Sequence, residues 1–330
     1  MGERSILRDV AQAAGVSLRT ASRVLNDDPR VAAATRERVQ GVMKDLRYVP
    51  DLMARSLRGG TDATIGLVVE SIADPFFSEL VAAVESASSD AGKSVLVAST
   101  RADAGRELRV VTELLRRRVS GLLVVPTASD HSWLARAAAP LVLVDRAAEG
   151  LDADMVGTDD QRAAFDAVAH LIAHGHRDIA YVGDYLRVST SAARLVGYRG
   201  AMAHYGLLVR DELVHADCPT ARAASAAMSR LLADSRPPTA VFSAATRCSL
   251  GVVPVLHEHR RTDVAFVGFG DFAMADALVP AVTVVDHSGA AVGRAAVARL
   301  ARRISEPALM LEIAHVPVRL VERGSGELRP

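Results

Sequence analysis

From residue 64 onward, short continuous apolar runs alternate with longer stretches whose apolar positions recur every three or four residues. Ile65-Gly66-Leu67-Val68-Val69, Ser94 to Ala98, Gly121 to Val125 and Leu141 to Val144 are runs of the first kind. Phe76 to Ala91, introduced by Asp74-Pro75, and Arg106 to Arg118 carry the helical period. A second series begins with a long helix from Asp159 through Ala163, Val168, Leu171 and Ile172 to His174-Gly175-His176. It continues as strand Ile179 to Val182, helices Ala192 to Tyr205 and Thr220 to Leu232, strand Ala240 to Ser243, a helix from Cys248 to about His257, and strand Val264 to Gly268. Strand Thr283 to Asp286, helix Ala290 to Arg303 and strand Val316 to Val321 complete the chain. Strands apolar on both faces, separated by full helices, predict parallel doubly wound sheets. Because the alternation restarts near residue 159, the pattern predicts two α/β lobes.

The first fifty residues have a different pattern. Ile6, Val10 and Ala14, with Leu7 and Ala11 beside them, mark one face of a short helix. Ser5 is positioned as its N-cap and Gly15 as the residue that stops it in a left-handed conformation. After Gly15-Val16, Ser17 can cap a second helix running to about Asn26. At 100° per residue, Thr20, Ala21, Val24 and Leu25 fall on one side and Arg19, Ser22, Arg23 and Asn26 on the other, with Leu18 at the border. A third helix, Thr35 to Leu46, turns Val39, Val42, Met43 and Leu46 inward. Ala32-Ala33-Ala34 offers it no capping side chain, so it begins loosely. Two short helices at a steep angle, the second with a small basic outer face, predict a helix-turn-helix. Pro50 biases Val49 away from the helical region and closes this head. Asp51 can cap one more short helix to about Arg58, ended by Gly59-Gly60 and too short to be stable alone.

Leu7-Arg8-Asp9-Val10-Ala11, Gly15-Val16-Ser17 and Thr20-Ala21-Ser22-Arg23-Val24-Leu25-Asn26 together resemble the headpiece of the LacI/GalR family of lactose- and galactose-repressor proteins. Pro29-Arg30-Val31, Thr35-Arg36-Glu37-Arg38-Val39, Leu46-Arg47-Tyr48-Val49-Pro50 and Ala54-Arg55-Ser56-Leu57 continue the resemblance in order and spacing, and it extends more loosely over nearly the whole chain. It implies an α/β protein with an N-terminal helix-turn-helix headpiece and a bilobed, periplasmic-binding-protein-like core of two doubly wound parallel sheets. The expected divisions are a headpiece at 1–50, a hinge helix and linker at 51–60, one lobe at 61–158 with about 288–314, and the other at 159–287 with about 315–330. The crossing of the last strands and helix between lobes comes from the resemblance. Periodicity alone supports two lobes.

Charge sharpens the picture at one end. The chain has 39 basic and 39 acidic side chains. Residues 1–60 nevertheless hold eleven Arg or Lys against seven Asp or Glu, a basic head suited to phosphate contact. Nearly all the cations are Arg, which suits two-pronged contacts, although codon bias accounts for that equally well. No apolar run reaches the ~18 residues of a spanning helix, and no secretory h-region precedes the head. A cytoplasmic protein, nucleoid-associated when on DNA, is the expectation, without membrane contact. Cys218 and Cys248 are too few and too far apart for a disulfide framework or zinc site. His174/His176 and His257/His259 are spaced i, i+2, poor for two ligands on one helix face, so no metal is expected. No dinucleotide fingerprint, phosphate loop or nucleophile elbow is present, so neither an enzyme nor a cofactor is expected.

The candidate DNA-reading residues are Leu18, Arg19 and Arg23. Arg19 and Arg23, one turn apart, can donate to guanine O6 and N7 in the major groove, and Leu18 can add apolar contact to a thymine methyl or simply cover the core. Two isolated Arg residues would ordinarily be a solvated helix face; the surrounding scaffold favours DNA. Ser17, Thr20, Ser22, Asn26 and Tyr48 are candidates for phosphate contacts, which fix register without reading sequence. The resemblance places Ala54 and Leu57 on the hinge, with a pair of Leu57 side chains, one per subunit, wedged into a central base step through the minor groove. In the effector cleft it points to Phe76 and Phe77, Thr190 and Arg194, and more weakly to Asp159 and Asp271. The bland readings are core phenylalanines and an interlobe salt bridge at Arg194. Family members usually carry Asn-Asp where this chain has Ala245-Thr246, and Asp-Asp where it has Gly270-Asp271. A site lacking those acceptors should reject an ordinary hexose, since each lost buried pair costs roughly 1–3 kcal/mol. The expected partners are double-stranded operator DNA, a second copy of the chain, and a small effector that is sugar- or nucleoside-like by family but atypical. The rivals are a transporter's solute-binding protein, which needs a secretory signal, and an α/β enzyme such as a sugar kinase or nucleoside hydrolase. The tail after Glu322 lacks apolar heptads, so a tetramer-forming helix is not expected.

Overall fold

The N-terminal apolar periodicity folds into α1 (Leu7–Ala13), α2 (Leu18–Leu25) and α3 (Ala33–Asp45). The computed structural model describes residues 6–25, 28–46, 48, 64–128, 130–137 and 139–330, so Ser5, Pro50 and the hinge at 51–60 lie outside the described residues. Ile6 precedes α1 in an extended conformation, and its N–H donates to the Asp9 carboxylate at 2.8 Å. Gly15 follows α1 with φ +64°, the left-handed turn that glycine enters without a Cβ penalty. Ser17 then caps α2 by accepting from the Thr20 N–H at 3.1 Å. Ala32 gives α3 no side-chain cap. Val10, Ala11, Ala14, Ala21, Val24 and Val39 are buried together, with Val42, Met43 and Tyr48 packed against them. Leu46, expected on the inner face of α3, is exposed. The helix ends one residue earlier, at Asp45, with Leu46 as its C-cap. Met1–Asp62 and Ala63–Pro330 are separate units.

The second unit contains two six-stranded sheets. The first is built from β1 (Thr64–Val69), α4 (Pro75–Asp90), β2 (Ser94–Ser99), α5 (Ala104–Arg116), β3 (Gly121–Val124), β4 (Leu141–Asp145) and β5 (Asp154–Gly157). The chain then enters α6 (Asp160–Ala173), β6 (Ile179–Val182), α7 (Ser189–His204), β7 (Val214–His215), α8 (Ala221–Ala233), β8 (Ala240–Ser243), α9 (Thr246–Glu258), β9 (Ala265–Phe269) and β10 (Thr283–Asp286). It ends with α10 (Gly289–Ser305), β11 (Ile313–His315) and β12 (Arg319–Val321).

The first sheet runs in the order β11-β5-β4-β3-β1-β2, parallel throughout. The second runs β12-β10-β9-β8-β6-β7, with only β12 antiparallel. Val292, Ala296, Val297 and Leu300 of α10 bury against Leu67, Phe77, Leu80 and Val84 of the first lobe, so the chain crosses back after β10. The final strand expected at Val316 to Val321 is found only as β12 at Arg319–Val321, and an unexpected β11 at Ile313–His315 precedes it in the other sheet. Pro317, between them, has no N–H to carry a ladder through. The short strands β5 and β7 escaped the apolar pattern because Asp154 opens one and His215 closes the other.

Burial explains why the sheets form here. Ile65 and Leu67 to Val69, then Leu122 to Val124, Val142 to Val144, Ile179 to Val182, Ala240 to Phe242 and Ala265 to Val267 are all essentially inaccessible. Such strands have helices on both faces, and their carboxyl ends open onto one cleft, where ligands bind in this architecture.

Candidate functional site

Two separate surfaces carry the candidate residues. On the N-terminal unit, α2 exposes Leu18, at 42 % relative accessibility, together with Arg19. Arg23, half-buried on the same helix, lies with Nε 3.6 Å from Asp28 Oδ2. Asp28 also accepts two bonds from the Arg30 guanidinium, at 2.9 and 2.8 Å. Hydrogen bonds from the Arg30 side chain and backbone hold its carboxyl well below the usual range. Arg23 is thus held at the edge of α2 by a permanent anion. Ser17 is exposed and bonded to Thr20, Oγ to Oγ1, at 2.9 Å; Ser22 and Tyr48 are half-buried. Asn26, Ala54 and Leu57 lie outside the described residues.

In the second unit, a cavity between the sheets is lined by the strand ends and helix starts around it: Phe76, Phe77, Thr190 and Arg194 contribute, as do Glu70, Asp145, Arg146, Asp184, Arg247 and His287. Asp74 caps α4 by accepting from the Phe76 N–H at 3.1 Å, with Pro75 at the first helical position. This aims Phe76 at His287, whose ring stacks on it at 4.4 Å between centroids and 6° between planes. Arg194 of α7 donates from Nε to Asp160 Oδ1 at 2.6 Å and from Nη1 to the Ala244 carbonyl at 2.8 Å. Its guanidinium carbon sits 3.8 Å from the centroid of the Phe269 ring. Burial pushes the Asp160 carboxyl up, against the opposing pull of Arg194. Burial, helped by the nearby Arg194 charge, pushes the His287 imidazole down to about 3, so it lines the cleft as a neutral ring.

The opposite wall is ionic. Arg146 donates from Nε to Asp145 Oδ2 at 2.9 Å and from Nη1 to Glu70 Oε2 at 3.2 Å. Asp145 has φ +71°, and the Arg146 N–H reaches back to the Val144 carbonyl at 2.8 Å. That tight, strained turn presents both side chains to the cleft. Burial raises Glu70, but Arg146 and Arg247 outweigh it and hold the carboxyl below its ordinary value.

Asp159 and Asp271, expected in the cleft, are not among its lining residues. Asp159 is consumed as the N-cap of α6, accepting from the Arg162 N–H at 3.0 Å. Its neighbour Asp160 takes the inward position. Asp271 is turned outward onto Arg323, with Nη2 at 2.6 Å from Oδ2. Sequence reasoning missed Glu70, Asp145, Arg146, Asp184, Arg247 and His287. All but Arg247 come within two residues after a predicted strand, and Arg247 stands in the first turn of the helix that follows one; the rule that ligands gather at strand carboxyl ends was the signal that could have found them.

The two family departures form one structural unit. Gly270 has φ +93°, and a Cβ there would collide with Thr246 Oγ1 and approach His287 Cε1 at 3.0 Å. With Thr246 and His287 beside it, this left-handed turn has no room for a side chain at position 270.

Residues 6–51 match the profile for bacterial regulatory proteins of the lacI family, and residues 168–326 match a periplasmic binding protein-like domain. The chain is 31 % identical over 326 residues to the ribose operon repressor of Escherichia coli K12, covering 97 % of this chain and 99 % of that one. This chain belongs to the LacI family. It is also 32 % identical to the HTH-type transcriptional regulator GalR of Escherichia coli K12, over 85 % of this chain and 84 % of that protein. A crystal structure of the lac repressor dimer bound to operator and an anti-inducer superposes with a TM-score of 0.88 at 27 % identity, covering 98 % of this chain and 99 % of that one. This LacI-family protein is a DNA-binding transcriptional regulator of the repressor type. Its relatives are repressors rather than enzymes, and the solute-binding alternative is not favoured.

Proposed function

We propose that this LacI-family protein binds a near-palindromic operator as a homodimer and releases or tightens its grip when a small molecule enters the cleft of the second unit. The observation that carries the DNA half is the capped α2, joined to α1 by the Gly15 turn and presenting Leu18 and Arg19 outward. A basic helix held this way enters a major groove. Arg19 and Arg23 read base edges, with Leu18 adding apolar contact. Ser17, Thr20, Ser22, Asn26 and Tyr48 bind phosphates, and the hinge residues Ala54 and Leu57 act in the minor groove.

The effector half rests on the cleft. Phe76 and Phe77 give it an apolar wall, Arg194 and Thr190 a polar one. The free space among these side chains is only about 40 Å³, room for a water or two but not for a sugar ring. An ordinary hexose would need the ionic wall to rearrange. Because Thr246 and Gly270 replace the expected acceptors, the effector is an atypical one. Its binding shifts the population of lobe closures, and the closures differ in operator affinity.

In vitro selection of DNA sites with the purified protein, followed by mobility shift, tests this reading. A selected half-site bound with a steep salt dependence is expected. Arg19→Ala and Arg23→Ala should each weaken it by about 1–3 kcal/mol, with relaxed preference at one base pair. Failure to enrich any site would overturn it.

A further inference from the structure

Arg247 is the most unusual resident of the cleft. It stands in the first turn of α9, on the second lobe, yet its Nη2 lies 2.8 Å from Glu70 Oε1 and 3.5 Å from Asp74 Oδ2 on the first lobe. Its Nη1 lies 3.3 Å from Asp184 Oδ2 on its own lobe. One guanidinium therefore sits among three carboxylates drawn from both sides of the cleft and ties the lobes together.

Among the described residues, Glu70 alone of the three has a second cation within reach. Glu70 shares Arg146 with Asp145, and Arg194 is occupied by Asp160. Five carboxyls in and behind the cleft thus face three guanidinium groups. Among the described residues, Arg247 is the only cation paired with Asp74 or Asp184. Glu70, Asp74 and Asp184 are all largely buried, whereas the Arg247 side chain keeps 26 % of its exposure. The acids are built into the wall and the cation is the movable part, on a long side chain with several rotatable bonds.

The other two cleft arginines have a different character. Arg146 is fixed by the turn at Asp145. Arg194 is pinned by Asp160, the Ala244 carbonyl and the Phe269 ring. Arg247 alone among the three bridges the lobes while remaining partly open to solvent.

We propose that the Arg247 guanidinium is a built-in occupant of the cleft, and that the effector carries a cationic group, an amine or guanidine, which takes its place between Glu70, Asp74 and Asp184. This rests on the reading of the cleft as the effector site and names the chemical class it admits. An anionic effector such as a sugar phosphate is disfavoured by the surplus of acid. A neutral hexose in place of Arg247 would leave the buried Asp74 and Asp184 without the cation that pairs them. Displacing Arg247 exchanges an intramolecular tie between lobes for one made through the ligand, so occupancy resets closure and with it the operator grip.

The test uses a pair of probes of the same shape that differ in charge, methylguanidinium and N-methylurea, titrated by calorimetry into the full-length protein and into Arg247→Ala. Methylguanidinium should bind Arg247→Ala at least tenfold more tightly than it binds the unaltered protein. N-methylurea should bind neither. Arg247→Gln, which keeps most of the volume, is run alongside in case the alanine variant loses its thermal transition. In the unaltered protein, D-glucosamine should bind measurably better than D-glucose, and glucose 6-phosphate should not bind. Equal binding of the charged and neutral probes, or absence of methylguanidinium binding to folded Arg247 variants, overturns the cationic class. If D-glucose or D-ribose binds tightly and shifts operator affinity, the cleft remains the effector site while the cationic class fails. If Arg247→Ala binds methylguanidinium as expected but operator affinity is indifferent to every cleft ligand and to the substitution itself, the effector-site reading fails instead.

Discussion

Arg194 and His287 both pack on the Phe269 ring, at 3.8 Å and 5.0 Å, and burial together with the Arg194 charge keeps the His287 imidazole neutral. Removing Arg194 leaves Asp160 without its cation in a site where the carboxylate is almost inaccessible. Arg194→Ala should therefore cost roughly 3–5 kcal/mol, read as a lower melting temperature. Arg194→Gln combined with Asp160→Asn should recover much of it, because the pair is neutralised together. His287 offers a pH test. Its pKa falls from 6.5 unfolded to about 3 folded, so between those values the unfolded chain binds the extra proton. Stability contributed by this residue is complete above 6.5 and declines as pH falls, by up to about 1.4 kcal/mol per unit. Denaturant melts of the unaltered protein and His287→Gln at about pH 7 and about pH 5 should show the unaltered protein losing more. Parallel losses in the two would refute it. Neither the His287–Phe76 stack nor the Arg247 bridge was legible in the sequence, since a charged or polar residue after a strand reads as an ordinary turn residue. The residues matched to a motif, Arg194 and Phe76 among them, were visible because neighbours in sequence frame them.

Helix packing in the second lobe depends on a few positions without side chains. On α7, a Cβ at Gly197 would strike the Gln161 carbonyl oxygen and come within 2.9 Å of Ala164 Cβ. On the same helix, a Cβ at Gly200 would meet only Phe165 Cδ2, at an ordinary 3.7 Å. The two glycines look alike in sequence and should behave oppositely. Gly197→Ala must push α7 from α6 and is expected to destabilise by about 1–3 kcal/mol. Gly200→Ala should be neutral or stabilising by up to about 1 kcal/mol, since alanine is the better helix former. Because Arg194 sits one turn from Gly197, the first substitution should also disturb ligand response while the second leaves it intact. Thermal melts of the pair decide this, and equal melting temperatures would contradict the packing. At this scale the sequence was informative: continuous apolar strands and amphipathic helices predicted most elements to within a few residues. It failed at β5, β7 and the β11–β12 break, where short strands are opened or closed by polar residues or separated by Pro317.

At the level of the whole molecule, operator recognition by two heads requires that two cores associate, and the surface suggests where. β2 is the free edge of the first sheet, and Leu96 and Val97 on it are 38 % and 41 % exposed. Leu96 and Ala98 share one face of the strand, and Ala98 and Leu108 line one shallow concavity beside it. An apolar edge strand left uncovered is a liability in a monomer, and the covering of such an edge by a second copy removes it. Substituting Leu96→Asp and Val97→Asp together places charge on this edge without touching the cleft or α2. Sedimentation should then show a monomer where the unaltered protein is a dimer. Operator binding should weaken at least tenfold at fixed concentration and should rise with the square of protein concentration, because each complex must now assemble two chains on the DNA. Binding to an isolated half-site should be unchanged, since α2 and its Ser17 cap are intact. A double variant that remains dimeric would place the interface on another face, and a loss of half-site binding would mean the substitution had damaged the fold.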